Sequence, residues 1–201
     1  LRDPVIVGMP RHLKRAFDIF VSLSVLVLTA PILAIVTVLI RLDSSGPAMF
    51  RQDRVGENGR IFRMFKFRTM VVAAEELDRH FEHETDLAAI HHKRRSDPRV
   101  TRVGRLLRRY SLDELPQLFN VFLGEMSLVG PRPELPWLVA KYDSWQRQRL
   151  AVPQGMTGWW QVTGRSDKPM HLHTDEDLYY VYNYSLWLDL QILAKTIRVV
   201  A

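Results

Sequence analysis

The chain of 201 residues contains no cysteine. That excludes a disulfide framework, a thiolate zinc site, an iron–sulfur cluster and a cysteine nucleophile together, without fixing the compartment. Neither a Walker A loop nor G-x-G-x-x-G is present, so a P-loop or Rossmann nucleotide site is out, and the missing G-x-S-x-G argues against a hydrolase of that type. There is no internal repeat, low-complexity tract or clear linker. Lysine is scarce. Of the 28 basic residues six are Lys and 22 are Arg, against 22 acids, for a net charge of +6. The planar guanidinium fork binds phosphate and carboxylate bidentately, so a basic chain of this kind favours a phosphate partner: nucleic acid, lipid headgroups or a phosphorylated metabolite. Hydrophobic residues at 47% and charged residues at 25% are ordinary globular values.

One long hydrophobic run is present. Residues 21–40, VSLSVLVLTAPILAIVTVLI, carry no charge, and as a helix would be about 30 Å long, the thickness of a bilayer core. Arg11, Lys14 and Arg15 precede the run and Arg41 follows it, whereas a spanning helix usually has its basic flank on one side only. Pro31 removes a helix hydrogen bond near the middle and predicts a kink. A helix that enters the membrane, bends and returns fits these features; a straight span and a buried core helix are the alternatives. The run is too long for a cleaved signal peptide and lacks a small-residue cleavage site.

Beyond Ser44-Ser45-Gly46-Pro47, alternating stretches at 48–52 and 60–67 flank Gly56-Glu57-Asn58-Gly59, a hairpin signal. Residues 71–95 read as one or two polar helices. Arg99, Arg102, Arg105 and Arg108 recur at i, i+3 on one helix face, either a solvated face or one laid on anionic lipid. Leu112, Leu115, Leu118, Phe119 and Phe122 predict an apolar stripe broken by Pro116. Residues 130–136, GPRPELP, predict a rigid loop. Trp187, Leu190, Leu193, Ala194, Ile197 and Val200 form the apolar stripe of an amphipathic helix, packed on the domain or lying in the membrane interface. The five Trp residues suit an interfacial belt or a core.

The candidate chemistry lies in carboxylates set among arginines. Asp113 and Glu114 are adjacent, after Arg108-Arg109 and before Pro116. Ser111 with Glu114 matches a helix capping box, which is the purely structural explanation. The functional one divides labour between the carboxylates, one attacking and one holding a metal. Arg108, Arg109 and Arg132 supply guanidiniums on both sides, and Lys66 and Arg68 of KFRTM could reach the same anion. His80, His83, His91, His92, His171 and His173 have spacings that could bind metal, but exposed surface histidines are the commoner explanation.

The chain resembles the bacterial sugar transferase family, the monotopic polyprenyl-phosphate phosphoglycosyl transferases. The matching segments are KRAFD at 14–18, the proline-containing apolar helix, SSGPAMFRQDRVGENGRIFRMFKFRTM at 44–70, RVTRVGRLLRRYSLDELPQLFNVFLGEMSLVGPRPE at 99–134, MTGWWQVTGRS at 156–166 and DLYYVYNYSLWLDLQILAKTI at 177–197. They cover most of the chain in order, and the pairing of LDELPQ with GPRP is highly specific. The family's helix-breaking dipeptide is often Ser-Pro; here it is Ala30-Pro31, so Pro31 carries more of the bend. The 71–98 stretch and Leu1 in place of Met resemble the catalytic C-terminal portion of the larger hexose-phosphate-transferring members.

The resemblance implies an α+β, mainly helical fold: a re-entrant membrane helix, amphipathic interfacial helices and a small β-hairpin around the active site. Residues 1–43 would form the N-terminal segment with the membrane helix. Residues 44–201 would form the catalytic domain on the cytoplasmic face of the bacterial inner membrane. The implied reaction moves a sugar 1-phosphate from a UDP-sugar to membrane undecaprenyl phosphate and releases UMP, the first membrane step of exopolysaccharide, capsule or O-antigen synthesis. Asp113 would attack the sugar-bearing phosphate to give an aspartyl-phosphosugar intermediate, and Glu114 would hold Mg²⁺, or Mn²⁺. Arg132, Lys66 and Arg68 match positions around the phosphates, joined by Arg109. Asp177 matches an acidic position near the site. Glucose and galactose phosphates are the expected sugars, and inner-membrane lipid and a second copy in a homodimer the expected partners, with no nucleic acid. A non-catalytic Arg-rich membrane-surface binding module is the rival; it explains the charge and the apolar run but gives no reason for Asp113-Glu114 or GPRP. A CDP-alcohol-type phosphotransferase would need several spanning helices and an Asp-rich motif, neither of which is present.

Overall fold

The computed structural model describes residues 9–71, 97, 99–164 and 174–200. The polar helices expected within 71–95 fall almost entirely outside that set, as do the six histidines weighed as metal ligands.

The apolar run forms the middle of helix α1, Met9–Asp43, which stays helical through Pro31. Its 35 residues correspond to about 52 Å of helix. Thr29 donates its hydroxyl to the Val25 carbonyl at 2.7 Å, and Thr37 does the same to Leu33. Back-bonding of this kind loosens a helix locally. Thr29 thus supplies, one residue earlier, the hydroxyl that Ala30 lacks in front of Pro31.

One face of α1 packs on the rest of the molecule. Lys14, Asp18, Ser22 and Leu26 are buried at successive turns, and Val36 and Ile40 are buried further on. Between the two sets Val27, Leu28 and Ile32 are exposed. Both halves of the helix therefore dock on the same body, and the stretch around Pro31 is its least covered part. A core helix would be buried all round; α1 instead exposes Phe20, Leu28, Val38 and Leu42, and Arg11–Asp43 is long and apolar enough to cross a membrane.

The hairpin forms where expected. Strands β1, Met49–Val55, and β2, Ile61–Phe67, pair antiparallel with Phe50 opposite Lys66. Asn58 and Gly59 take positive φ in the connection, the conformation Asn-Gly favours. Phe62, Met64 and Lys66 share one strand face by the two-residue period, and the first two are buried. Lys66 is thus carried on the core side of its strand. The buried Asn120 side chain covers the free edge of β2, accepting from Phe65 N at 2.9 Å and donating to Arg63 O at 2.8 Å.

Helix α2, Arg102–Arg109, begins at Thr101, whose side chain accepts from Gly104 N; Asp43 at the end of α1 accepts from Val103 N. Arg99 lies before this helix, its guanidinium bonded to Asp97, so the expected face begins at Arg102. Leu112–Glu114 is one 3-10 turn, followed by α3, Gln117–Leu123. Pro116 breaks the expected stripe between the turn and α3, and within α3 Leu118 is buried while Phe119 and Phe122 are exposed.

Strand β3, Ser127–Val129, pairs in parallel with β4, Gly155–Thr157. A Cβ on Gly155 would lie 2.1 Å from the Gly130 nitrogen, so only glycine permits this approach. Between the two strands come the GPRP loop, the short helices α4, Pro136–Ala140, and α5, Ser144–Arg147, and the turn Gln148–Ala151. After β4 come α6, Trp159–Gly164, α7, Thr174–Tyr182, and α8, Leu186–Val200. The main core joins Phe62, Met64, Leu118, Val121, Leu128, Val152, Tyr180 and Ile192 under α1.

Helix α8 leaves most of its expected apolar stripe exposed. Its buried face is Leu188, Asp189 and Ile192, while Trp187, Leu190 and Ile197 are exposed. Asp189 is drawn inside because Lys14 of α1 waits there, Nζ to Oδ2 at 2.8 Å. Over the described residues the molecule is a mainly helical α+β unit with one long apolar N-terminal helix.

Candidate active site

Asp113 and Glu114 sit in the 3-10 turn, entered through Ser111 at φ 54°. A left-handed residue without glycine is uncommon and costs backbone energy, so neighbouring packing must hold it. Ser111 does not act as the cap of a capping box: its side chain makes no cap bond to this turn. Glu114 instead turns towards cations. Its Oε1 accepts from Arg132 Nη2 at 2.6 Å and from Lys66 Nζ at 3.3 Å. Three segments far apart in sequence, β2, the turn and the GPRP loop, thereby meet at one carboxylate.

The electrostatics separate the two carboxylates. Burial pushes Glu114 upward, but Arg132 and Lys66 outweigh it and hold the carboxyl well below the usual range. Asp113 is pushed up, by burial first and by the Glu114 charge second, with Lys66 and Arg108 opposing. Burial lowers Lys66 to about 8 despite Glu114, as expected for an ammonium on the core side of a strand. Arg132 is raised, chiefly by Glu114. The cluster remains open, with Lys66, Glu114 and Arg132 side chains 18%, 25% and 24% exposed.

The GPRP loop is tied along its whole length. Gly155 N donates to Pro131 O at 2.8 Å and Val55 N to Glu134 O at 2.9 Å. Arg149 Nη2 donates to Arg132 O at 2.8 Å and Arg54 Nη1 to Pro133 O at 3.3 Å. The prolines carry no N–H, so these four successive carbonyls are met from outside.

The other expected site residues make their contacts outside the Lys66–Glu114–Arg132 cluster. Arg68 donates to Ser44 O and Ser45 O, at 2.8 and 2.5 Å, and so holds the exit of α1. Arg109 is exposed at the end of α2, its guanidinium 5.6 Å from the Tyr110 ring centre. Asp177 is buried, 2.5 Å from the equally buried Arg149; burial raises its pKa and Arg149 opposes that. Pro31 is exposed within α1, away from the dyad in sequence and outside its contacts. One arginine, Arg54, was not singled out for the site from sequence, whereas Arg108 was. Arg54 pairs with buried Glu134 at 3.4 Å and is lowered to about 10 by burial. Arg108 bonds Thr69 Oγ1 at 2.9 Å. The signal for Arg54 was present in DRVGENG and PRPE, but a strand arginine looks solvated until its partner is known.

Among the described residues no three His, Asp or Glu side chains cluster to hold a metal. Asp113 and Glu114 are the adjacent carboxylates present, Glu114 Oε1 being bonded to Arg132 and Lys66; Mg²⁺ takes one or two carboxylates and fills its remaining positions with phosphate oxygens and water.

The carboxylate dyad is thus ringed by cations, on a body that packs against both halves of one long helix with exposed apolar side chains. The chain matches the bacterial sugar transferase family over residues 9–201, and it belongs to that family. It is 41% identical over 194 residues to the undecaprenyl-phosphate galactose phosphotransferase of Salmonella typhimurium, covering 94% of this chain and 40% of that protein. It is 42% identical over 196 residues to the undecaprenyl-phosphate glucose phosphotransferase of Komagataeibacter xylinus, covering 92% and 35%. The exopolysaccharide production protein ExoY of Rhizobium meliloti is 40% identical over 191 residues, with 93% and 84% covered. The chain thus spans well under half of the first two relatives.

Proposed function

We propose that this chain is the catalytic portion of a phosphoglycosyl transferase that moves a sugar 1-phosphate from a UDP-sugar to undecaprenyl phosphate, releasing UMP. The observation that carries the reading is the open Lys66–Glu114–Arg132 cluster beside Asp113. An Asp113 carboxylate oxygen attacks the sugar-bearing phosphorus, the bond to the UMP oxygen breaks, and UMP leaves with its electron pair. The lipid phosphate oxygen then attacks the same phosphorus, expels Asp113 and leaves a polyprenyl diphosphate sugar. A carboxylate needs no base for this step; the obstacle is repulsion from the diphosphate. Lys66 and Arg132 face that charge and orient it. Glu114 draws both cations together and, with Asp113, would hold Mg²⁺ or Mn²⁺, which supplies Lewis-acid charge neutralisation when bound. Glucose and galactose are the sugars to test first, since relatives carry those names.

The same reading makes α1 a re-entrant helix with both flanks on the cytoplasmic face of the inner membrane. It rests on both halves of α1 docking on one body, with exposed apolar side chains between. Cysteines at the exposed Leu13 and Leu42 should react with an impermeant reagent from the same side; opposite sides would make α1 a span.

The deciding experiment incubates full-length protein with UDP-glucose or UDP-galactose, undecaprenyl phosphate and Mg²⁺, and measures UMP. Release that requires lipid for turnover supports the transferase. Binding of anionic vesicles without UMP from any UDP-sugar would make the chain an Arg-rich membrane-surface module.

A further inference from the structure

We propose that Asp177 and Arg149 form a buried positioning unit for Arg132, so that Asp177 serves the site through the GPRP backbone without touching substrate or metal. The inference rests on the transferase reading for its activity arm only. Both side chains are inaccessible, Arg149 at 0% and Asp177 at 1% exposure, so neither can contact a ligand entering from solvent. Arg149 uses its fork in three directions. Nη2 donates to Arg132 O at 2.8 Å and lies 2.5 Å from Asp177 Oδ2, while Nη1 donates to the Tyr142 hydroxyl at 3.0 Å. Asp177 belongs to α7, Arg149 to the turn after α5 and Arg132 to the loop after β3. The pair therefore fixes the loop from the far side of the fold.

The reason such a unit is needed lies in the loop itself. Pro131 and Pro133 cannot donate, so the loop has little internal bonding with which to hold Arg132 against Glu114. Arg149 fills one of the four external bonds along residues 131–134, and it is the one on Arg132 itself. A guanidinium buried for that purpose requires a compensating charge, which Asp177 provides. Arg54 with Glu134 repeats the arrangement one residue on. Small displacements of a positioned charge cost large factors in rate.

The test is a double-mutant cycle with a structural readout. Asp177→Asn and Arg132→Lys should each lower kcat/KM for the UDP-sugar by about 10- to 100-fold, and the double variant should lose no more than the worse single one. Multiplying losses, or a changed Mg²⁺ requirement in Asp177→Asn alone, would put Asp177 on substrate or metal and overturn the proposal. Hydrogen exchange reads the loop without turnover. In Asp177→Asn, and in Arg149→Lys should that variant be better folded, the Val55 and Gly155 amides should exchange about tenfold faster or more, with the Ile192 amide of α8 unchanged. Unchanged exchange at Val55 and Gly155 would also overturn it. A wild-type protein that releases no UMP refutes the transferase reading and leaves the exchange arm to judge the pair.

Discussion

Of the ion pairs that link distant parts of the described chain, Lys14–Asp189 and the Lys66–Glu114–Arg132 cluster differ in how completely they are closed. At the N-terminal end of α1, Lys14 and Asp189 are 4% and 1% exposed; Lys14 also donates to Val129 O, and the Tyr180 hydroxyl to Asp189 Oδ1. Lys66, Glu114 and Arg132 keep about a fifth of their side-chain surface in water. A sealed pair fixes one arrangement, here the seating of the membrane-type helix on the strand that leads into GPRP. An open cluster keeps its charges available to an incoming anion. Similar residue types therefore act as a joint in one place and as a site in the other, and burial makes the difference.

The comparison predicts its largest effect at the open cluster. On the transferase reading, Asp113→Asn removes the proposed attacking oxygen and should reduce transfer by about a thousandfold or more, with no hexose-phosphate adduct by mass spectrometry when lipid is withheld. Near-normal turnover would place the nucleophile elsewhere.

At the sealed pair the loss should be of stability. Lys14→Met leaves Asp189 buried without its cation and should cost about 3–5 kcal/mol, measured by denaturant unfolding in detergent. The double change Lys14→Met with Asp189→Leu should recover much of that. A mild single-variant effect would mean that the joint is not closed.

The pH profile distinguishes the dyad's members. Asp113 is raised, so on the transferase reading activity should fall as acid protonates it, beginning above the ordinary Asp range. Glu114→Gln removes the neighbouring charge that helps raise Asp113, so that acid limb should move to lower pH even though overall activity drops. Glu114 itself, held low, contributes stability above its unfolded value that is lost only as pH falls through its depressed folded value. On the alkaline side Lys66 loses its charge near about 8, and Lys66→Arg should carry that limb upward.

The smallest effect separates neighbouring arginines. Arg109→Ala should change turnover by less than about twofold, since its guanidinium lies over Tyr110 in solvent. Arg108→Ala, which removes a cation that lowers Asp113, should cost about tenfold. Equal losses would extend the site to the end of α2.

Local rules made much of this molecule legible. Asn58-Gly59 announced the hairpin turn, GPRP its rigid loop, the uncharged run its helix, and Asp113-Glu114 a dyad among cations, because turn chemistry and periodicity act over a few residues. The sequence by itself determined those pieces, and the resemblance carried by LDELPQ and GPRP determined the family. Partners across the chain were decided by tertiary structure alone. Asp189 turned one face of α8 inward against its apolar stripe because Lys14 met it there. Arg68 went to the carbonyls of Ser44 and Ser45, Asp177 to Arg149, and Glu114 to Lys66 and Arg132 in place of a capping box. A charged side chain can satisfy its hydrogen bonds equally well in water or against any suitable partner. Which of these it takes depends on what the fold brings within about 3 Å of it, and periodicity along the chain carries no record of that.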